Sequence, residues 1–241
     1  MRTTFEPLQV TSLKEACITR LEELILSGEL KAGERLPAER DFAARLGVSR
    51  PVLHEALVDL AAKGLLTIHP RRGVLVNDFR VSGSCAILSS LLTYHNGSLD
   101  VDFTESLLAM RVLVETETAR LAALYVTPQQ ERSLEEIIAN EAACDRADPL
   151  TRTSLDFDFH LAVAIASGNL VYPLILNSFQ KVYTRFTGVF FSHSAGSAVM
   201  DEVLVFHRRL VSAIREHQPE VAAAVMRELL LHGEQILKEV L

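Results

Sequence analysis

Apolar residues recur at helical spacing along most of the chain, and the pattern breaks into shorter, different units only between residues 36 and 76. That stretch reads LPAERDFAARLGVSRPVLHEALVDLAAKGLLTIHPRRGVLV. Over residues 38–46, Phe42, Ala43 and Leu46 mark one buried helical face. Gly47 can adopt the left-handed conformation a helix end requires, Val48 can fill the corner, and Ser49 is a favoured N-cap. Pro51 falls in the first turn of the next helix, where its missing N–H costs nothing. Across residues 52–62, Val52, Leu53, Ala56, Leu57, Leu60 and Ala61 keep the period and leave Arg50, His54 and Asp59 on other faces. Gly64 stops that helix, and residues 65–69 and 74–76 read as strands joined by Pro70, Arg71, Arg72 and Gly73. Helix, glycine turn, capped helix and basic hairpin in that order predict a winged helix-turn-helix, with the second helix as reader.

Outside this stretch the pattern predicts helices. Residues 1–10 read as an arm, and residues 11–26 as an amphipathic helix capped by Thr11 or Ser12 that packs on the winged domain. Residues 77–83 are polar enough for a linker or first turn. Helices follow near 84–94, 101–125, 128–146, 150–167, 171–191, 198–217 and 220–240. Their stops are Asn96-Gly97, Asp148-Pro149, Gly168-Asn169, Gly196 and Gln218-Pro219. The expected fold class is mainly α: a winged helix-turn-helix with a small β wing over residues 1–78, then an all-helical effector-binding and dimerisation domain over 79–241.

Charge changes the picture. The net charge of −7 by itself argues against nucleic acid, yet residues 1–80 hold 12 Lys and Arg against 11 Asp and Glu, and residues 81–241 hold 12 against 20. Basic groups are thus concentrated where a duplex would be met, with Arg40, Arg50, Arg71 and Arg72 suited to phosphates or guanine. Cys17, Cys85 and Cys144 match neither a disulfide framework nor a CxxC pair, and the chain shows no signal-peptide core and no apolar run of membrane-spanning length. A cytoplasmic protein without a membrane partner is expected. GxSxG, Walker, GxGxxG and HExxH motifs are all missing, so no catalytic residues and no enzyme are expected.

Three of the bundle helices place polar groups where the pattern expects core. Asp156 and His160 lie four apart on one face, His207 begins an apolar-periodic run, and Arg111 sits in the stripe of Leu107, Leu108, Val114 and Leu121. A carboxylate and two imidazoles suit Zn, Ni or Mn, and an Arg beside them can fork onto a carboxylate. The alternatives are a satisfied polar cluster inside the core or, from another class, a metal-dependent enzyme carrying a nucleic-acid module.

Leu36-Pro-Ala-Glu-Arg40, Leu46-Gly-Val-Ser-Arg50 and Glu55-Ala-Leu57 resemble the DNA-binding domain of the GntR superfamily of bacterial transcription regulators. The resemblance implies contacts to double-stranded DNA from Arg40, Ser49, Arg50, Val52 and the wing residues Arg71 and Arg72; His54 stands where an Arg is usual. It implies a cytoplasmic homodimer on a pseudo-palindromic operator, acting as a repressor or in a dual role, since one reader helix spans only a few base pairs. Arg111 with Glu115, Asp156-x-x-x-His160 and His207 in turn resemble the FCD effector domain of the FadR branch. There an Asp and three His hold a divalent metal, and an organic acid bridges ion and Arg. Here Leu229 occupies the third His position, with His232 one turn on as a poor substitute.

Val76-Asn-Asp-Phe79, Ser82-Gly83, Ile87-Leu88, Ala166-Ser-Gly-Asn169, Tyr172, Leu174-Ile-Leu-Asn177 and Tyr183-Thr-Arg185 resemble the acyl-CoA-responsive regulators of fatty-acid metabolism within that branch. This implies an acyl chain in a bundle cavity beside the last helix, entered past Leu231, Glu234 and Lys238, with the anionic head near Arg185 or Lys238. The expected effector-binding residues are therefore Arg111, Tyr183, Arg185, Leu231 and Glu234. The extended similarity favours an acyl-CoA as effector; an organic acid on a metal at Asp156, His160 and His207 is the alternative.

Overall fold

The computed structural model describes residues 12–94, 101–145 and 147–240. The expected arm and the stop at Asn96-Gly97 lie outside the described residues. The chain divides into two compact units, Met1–Ser98 and Leu99–Leu241.

In the first unit, α1 (Leu13–Leu26) begins with a capping box: the Ser12 side chain accepts from the Glu15 N–H, and the Glu15 carboxylate accepts from the Ser12 N–H. The helix-turn-helix is α2 (Glu39–Leu46) and α3 (Arg50–Ala62). Gly47 closes α2 at φ 69°, and the Ser49 hydroxyl accepts from the Val52 N–H at 3.5 Å to start α3. The wing pairs β1 (Leu66–His69) antiparallel to β2 (Gly73–Val76), Leu66 opposite Val76 and His69 opposite Gly73. Arg35 adds a single bridge to Leu75. Leu21, Leu53, Leu57, Leu60 and Leu65 fill the core.

Residues 77–83, read as a linker or the first turn of the next domain, hold α4 (Phe79–Ser82), capped by Asp78, and α5 (Ile87–Tyr94) follows. Both belong to the first unit, contrary to the expected division at residue 78. Ile87 enters the first core, and the Lys63 carbonyl accepts from the Ser84 N–H at 3.0 Å. Lys63 Nζ donates to Glu22 at 2.5 Å and to the Ser90 hydroxyl at 3.1 Å. Apolar periodicity in residues 84–94 announces a helix but does not say which core the helix enters. Gly64, at φ 81°, lies so close to α4 that a Cβ there would be 2.0 Å from the Ser82 carbonyl oxygen.

The second unit consists of α6 (Val101–Tyr125), α7 (Pro128–Ala143), α8 (Pro149–Ala166), α9 (Tyr172–Ser178), α10 (Gln180–His193), α11 (Val199–Arg215) and α12 (Pro219–Val240). Helix α8 is central, packed against α6, α7, α9 and α10, while α6 runs along α12. Phe157, Phe159, Phe186, Leu134, Met200, Leu210 and Ile214 are fully buried. The single helix expected over 171–191 is two, broken at Phe179. The Phe179 N–H bonds to the Leu176 carbonyl at 3.0 Å, a tightened i−3 turn, and the Ser178 hydroxyl donates to the Ile175 carbonyl. Helix α7 stops at Ala143, short of the expected 146, and Arg152 Nη2 donates to the Cys144 carbonyl beyond its end. Among the described residues no helix is long and apolar enough to cross a membrane.

Candidate functional site

Every residue expected at a duplex lies on the first unit. Arg50 and His54, one turn apart on α3, are exposed and share one carboxylate at the start of α2. Glu39 Oε2 accepts from Arg50 Nε at 3.3 Å, and Glu39 Oε1 lies 3.2 Å from His54 Nδ1. Partial burial pushes the Glu39 carboxyl up, but the hydrogen bonds from His54 and Arg50 outweigh it and hold the group below the ordinary range. Arg40 is exposed beside Asp41, Val52 is half-buried, and Ser49 serves as the cap of α3. Arg71 and Arg72 stand exposed at the hairpin tip, where Arg71 takes φ 62°. Sequence reading missed Glu39, whose spacing of 15 residues from His54 leaves no local pattern to find.

In the second unit, α6, α7, α8, α10 and α11 bring a second group of polar side chains together inside the core. Arg111, Glu115, Glu141, Asp156, His160, Tyr183 and His207 are all buried. Arg111 Nε donates to Glu115 Oε1 at 2.7 Å, and Arg111 Nη2 donates to the Tyr183 hydroxyl at 2.8 Å. That hydroxyl donates onward to Asp156 Oδ2 at 3.0 Å. Burial opposes every charge here. It raises the Glu115 carboxyl, but Arg111 and His160 outweigh it and hold the group at about 2. Burial also pushes the Tyr183 phenol well above its usual value, with Asp156 and Glu115 adding to it against Arg111.

The two imidazoles are oriented alike. His160 Nδ1 contacts Glu115 Oε2, and His207 Nδ1 lies 2.9 Å from Glu141 Oε2. Stacking on Phe159, with ring centroids 3.8 Å apart, fixes the plane of the His207 ring. Each ring's Nε2 therefore turns toward Asp156 Oδ1, at 3.9 Å from His160 and 3.8 Å from His207. The ligand atoms of Asp156, His160 and His207 all fall within 4.8 Å of one another, and His207 Nε2 is a buried atom without a hydrogen-bond partner. Two imidazoles and a carboxylate, with each imidazole facing a second carboxylate through Nδ1, form a donor set suited to a divalent transition metal. Glu141 escaped sequence reading because it sits among the acidic residues of α7, with nothing local to mark it as the one that turns inward.

Beside the triad lies a cavity of about 40 Å³, lined by Arg111, Thr187 and Glu234 among apolar side chains that include Leu229 and Leu230. The remaining expectations divide. Tyr183 joins the cluster, but Arg185, two residues on along α10, lines a separate groove with Lys181 and Thr184, since residues two apart on a helix do not share a face. Leu231 is 43% exposed and absent from the cavity wall, because Leu229, Leu230, Gly233 and Leu237 take the inward positions of α12. Glu234 lines the cavity and is paired with Lys238 at 2.7 Å. His232 does not stand in for a third imidazole; its Nε2 lies 3.0 Å from Glu202 Oε2.

Residues 13–76 match the family described as bacterial regulatory proteins, gntR family, and residues 106–232 match the FCD domain. The HTH-type transcriptional regulator Mce2R of Mycobacterium tuberculosis is 31% identical over 227 residues, covering 93% of this chain and 91% of that one. A protein of Erwinia tasmaniensis named fatty acid metabolism regulator protein is 30% identical over 220 residues, covering 89% of each. Among solved structures, the one titled "Lar controls the expression of the Listeria monocytogenes agr system and mediates virulence" aligns at TM-score 0.62 and 20% identity. It covers 97% of this chain and 100% of that one, a likeness of fold.

Proposed function

The chain belongs to the GntR family of bacterial regulatory proteins, with an FCD domain, and from that premise we propose how its operator binding is controlled. On this reading it is a homodimeric repressor on a pseudo-palindromic operator, released when a small carboxylic acid binds beside a divalent metal ion in the helical bundle. The observation that carries the effector half is the unpartnered Nε2 of His207, buried and turned toward Asp156. A buried polar atom without a partner costs about 1 to 3 kcal/mol, which coordination would relieve.

Asp156, His160 and His207 would hold the ion, and three protein ligands leave positions open for an incoming acid. When bound, the ion supplies a positive anchor for a carboxylate. Glu115 and Glu141 hold the imidazoles in the ligating orientation, Tyr183 holds Asp156, and Arg111 brings a fixed positive charge to the same cavity. An effector that favours one dimer geometry over another weakens DNA binding, and DNA must then weaken effector binding by the same factor.

The name of the Erwinia relative supports a second reading, a fatty acyl-CoA effector. Cavity size argues against it: about 40 Å³ is space for a few water-sized groups, whereas pockets that bury larger ligands run to roughly 300–1,000 Å³. Native mass spectrometry of the purified chain separates the two readings. Retention of one divalent ion per chain supports the first, and retention of an acyl-CoA mass without metal supports the second.

A further inference from the structure

The shared carboxylate at Glu39 has a consequence for which bases the protein reads. An ionised carboxylate can only accept hydrogen bonds, and Glu39 is held in that form by its two partners. The nitrogen of His54 that faces it, Nδ1, must therefore carry the proton. In neutral imidazole the other nitrogen, Nε2, is then an acceptor. Arg50 is oriented by the same carboxylate through Nε, which leaves its two terminal nitrogens to fork onto guanine O6 and N7. Both side chains are solvent-exposed, at 71% for Arg50 and 53% for His54, and four residues apart they project from one face of α3.

We propose that His54 reads a base through an acceptor nitrogen, and that Glu39 is the positioning residue that fixes this polarity. In the major groove, adenine N6 and cytosine N4 are donors, whereas guanine presents only acceptors and thymine an acceptor and a methyl group. His54 therefore selects adenine or cytosine and disfavours guanine, the reverse of an arginine at the same place. One anion thus sets two readers of opposite character: Arg50 as donor to guanine and, one helical turn along, His54 as acceptor from adenine or cytosine. The inference rests on α3 being the reader helix.

The test is selection of bound duplexes from a randomised pool by the full chain at pH 8. Glu39 is the charged group bonded to the ring among the described residues, and it also pairs with Arg50. One position in each half-site is expected to favour adenine or cytosine over guanine by about tenfold. His54→Arg is expected to move that position to guanine. Glu39→Gln is expected to flatten the preference to within about twofold while specific binding persists, because an amide can donate as well as accept and so permits either tautomer. Guanine selected there by the wild type, or identical preferences in the wild type and the His54→Arg protein, would overturn the base assignment. A preference kept intact in the Glu39→Gln protein would remove the role given to Glu39. Failure of the underlying reading looks different: Arg50→Ala would then leave every half-site preference unchanged.

Discussion

His207 Nδ1 lies 2.9 Å from Glu141 Oε2, and this contact between α11 and α7 determines what the opposite ring nitrogen can do. With Nδ1 bonded to a carboxylate, Nε2 is the ring nitrogen that faces Asp156 and the one a metal ion would take. Carboxylates in this position typically contribute roughly 10- to 100-fold to metal affinity. Glu141→Gln is therefore expected to weaken binding of Zn, Ni or Mn by about that factor with helix content unchanged, as calorimetric titration of each ion would show. Equal affinities in the two proteins would separate Glu141 from the metal.

Glu115 ties the same cluster to stability against acid. Its folded pKa, about 2, lies below the ordinary carboxylate value of 4.5. Because the folded pKa is depressed, the stabilisation is fully present above about pH 4.5 and is lost as pH falls from there toward 2. Denaturant titrations between pH 7 and 2.5 are expected to show that loss. Glu115→Gln removes the partner of a buried guanidinium and is expected to cost about 3 to 5 kcal/mol at neutral pH. It also blunts the acid dependence. An unaltered acid limb in that protein would mean that the stability change arises elsewhere.

At the DNA surface, Arg50 and Arg72 should behave differently. Arg50→Ala is expected to cost about 1 to 3 kcal/mol at the specific operator and to relax base choice. Arg72, at the exposed hairpin tip, is expected to weaken binding to all sequences alike and to lower the salt slope by about 1 when replaced by Ala. Anisotropy titrations on operator and unrelated duplexes at several salt concentrations distinguish them. Two variants with the same specificity ratio as the wild type would contradict the assignment of the reader helix.

Much of the fold is legible in the sequence because its signals are local. Gly47, Ser49 and Pro51 set the turn and cap of the helix-turn-helix, and Thr127, Asp148 and Pro149 mark helix starts in the bundle. Phe179 is different: the break there goes with the Ser178 hydroxyl bonding the Ile175 carbonyl and the Phe179 N–H closing a tightened turn, within an otherwise continuous apolar pattern. The triad of Asp156, His160 and His207 is visible as polar residues in apolar stripes, but its orientation is not. Glu141 is 66 residues from His207, and its inward turn is a property of packing between α7 and α11. Leu231 lies off the cavity wall for a related reason, since helical phase over the last residues of α12 is decided by Leu229, Leu230 and Gly233 meeting the cavity.

The most direct test of metal-dependent control is operator affinity measured by anisotropy on the wild type and on the His160→Ala and His207→Ala proteins. Each is titrated with Zn, Ni or Mn together with a panel of short-chain carboxylic acids, and separately with acyl-CoAs. The expected result is release of the wild type by an acid only when the metal is present, with both variants binding the operator normally and failing to respond. Release of all three proteins by an acyl-CoA after chelation of metal would contradict it.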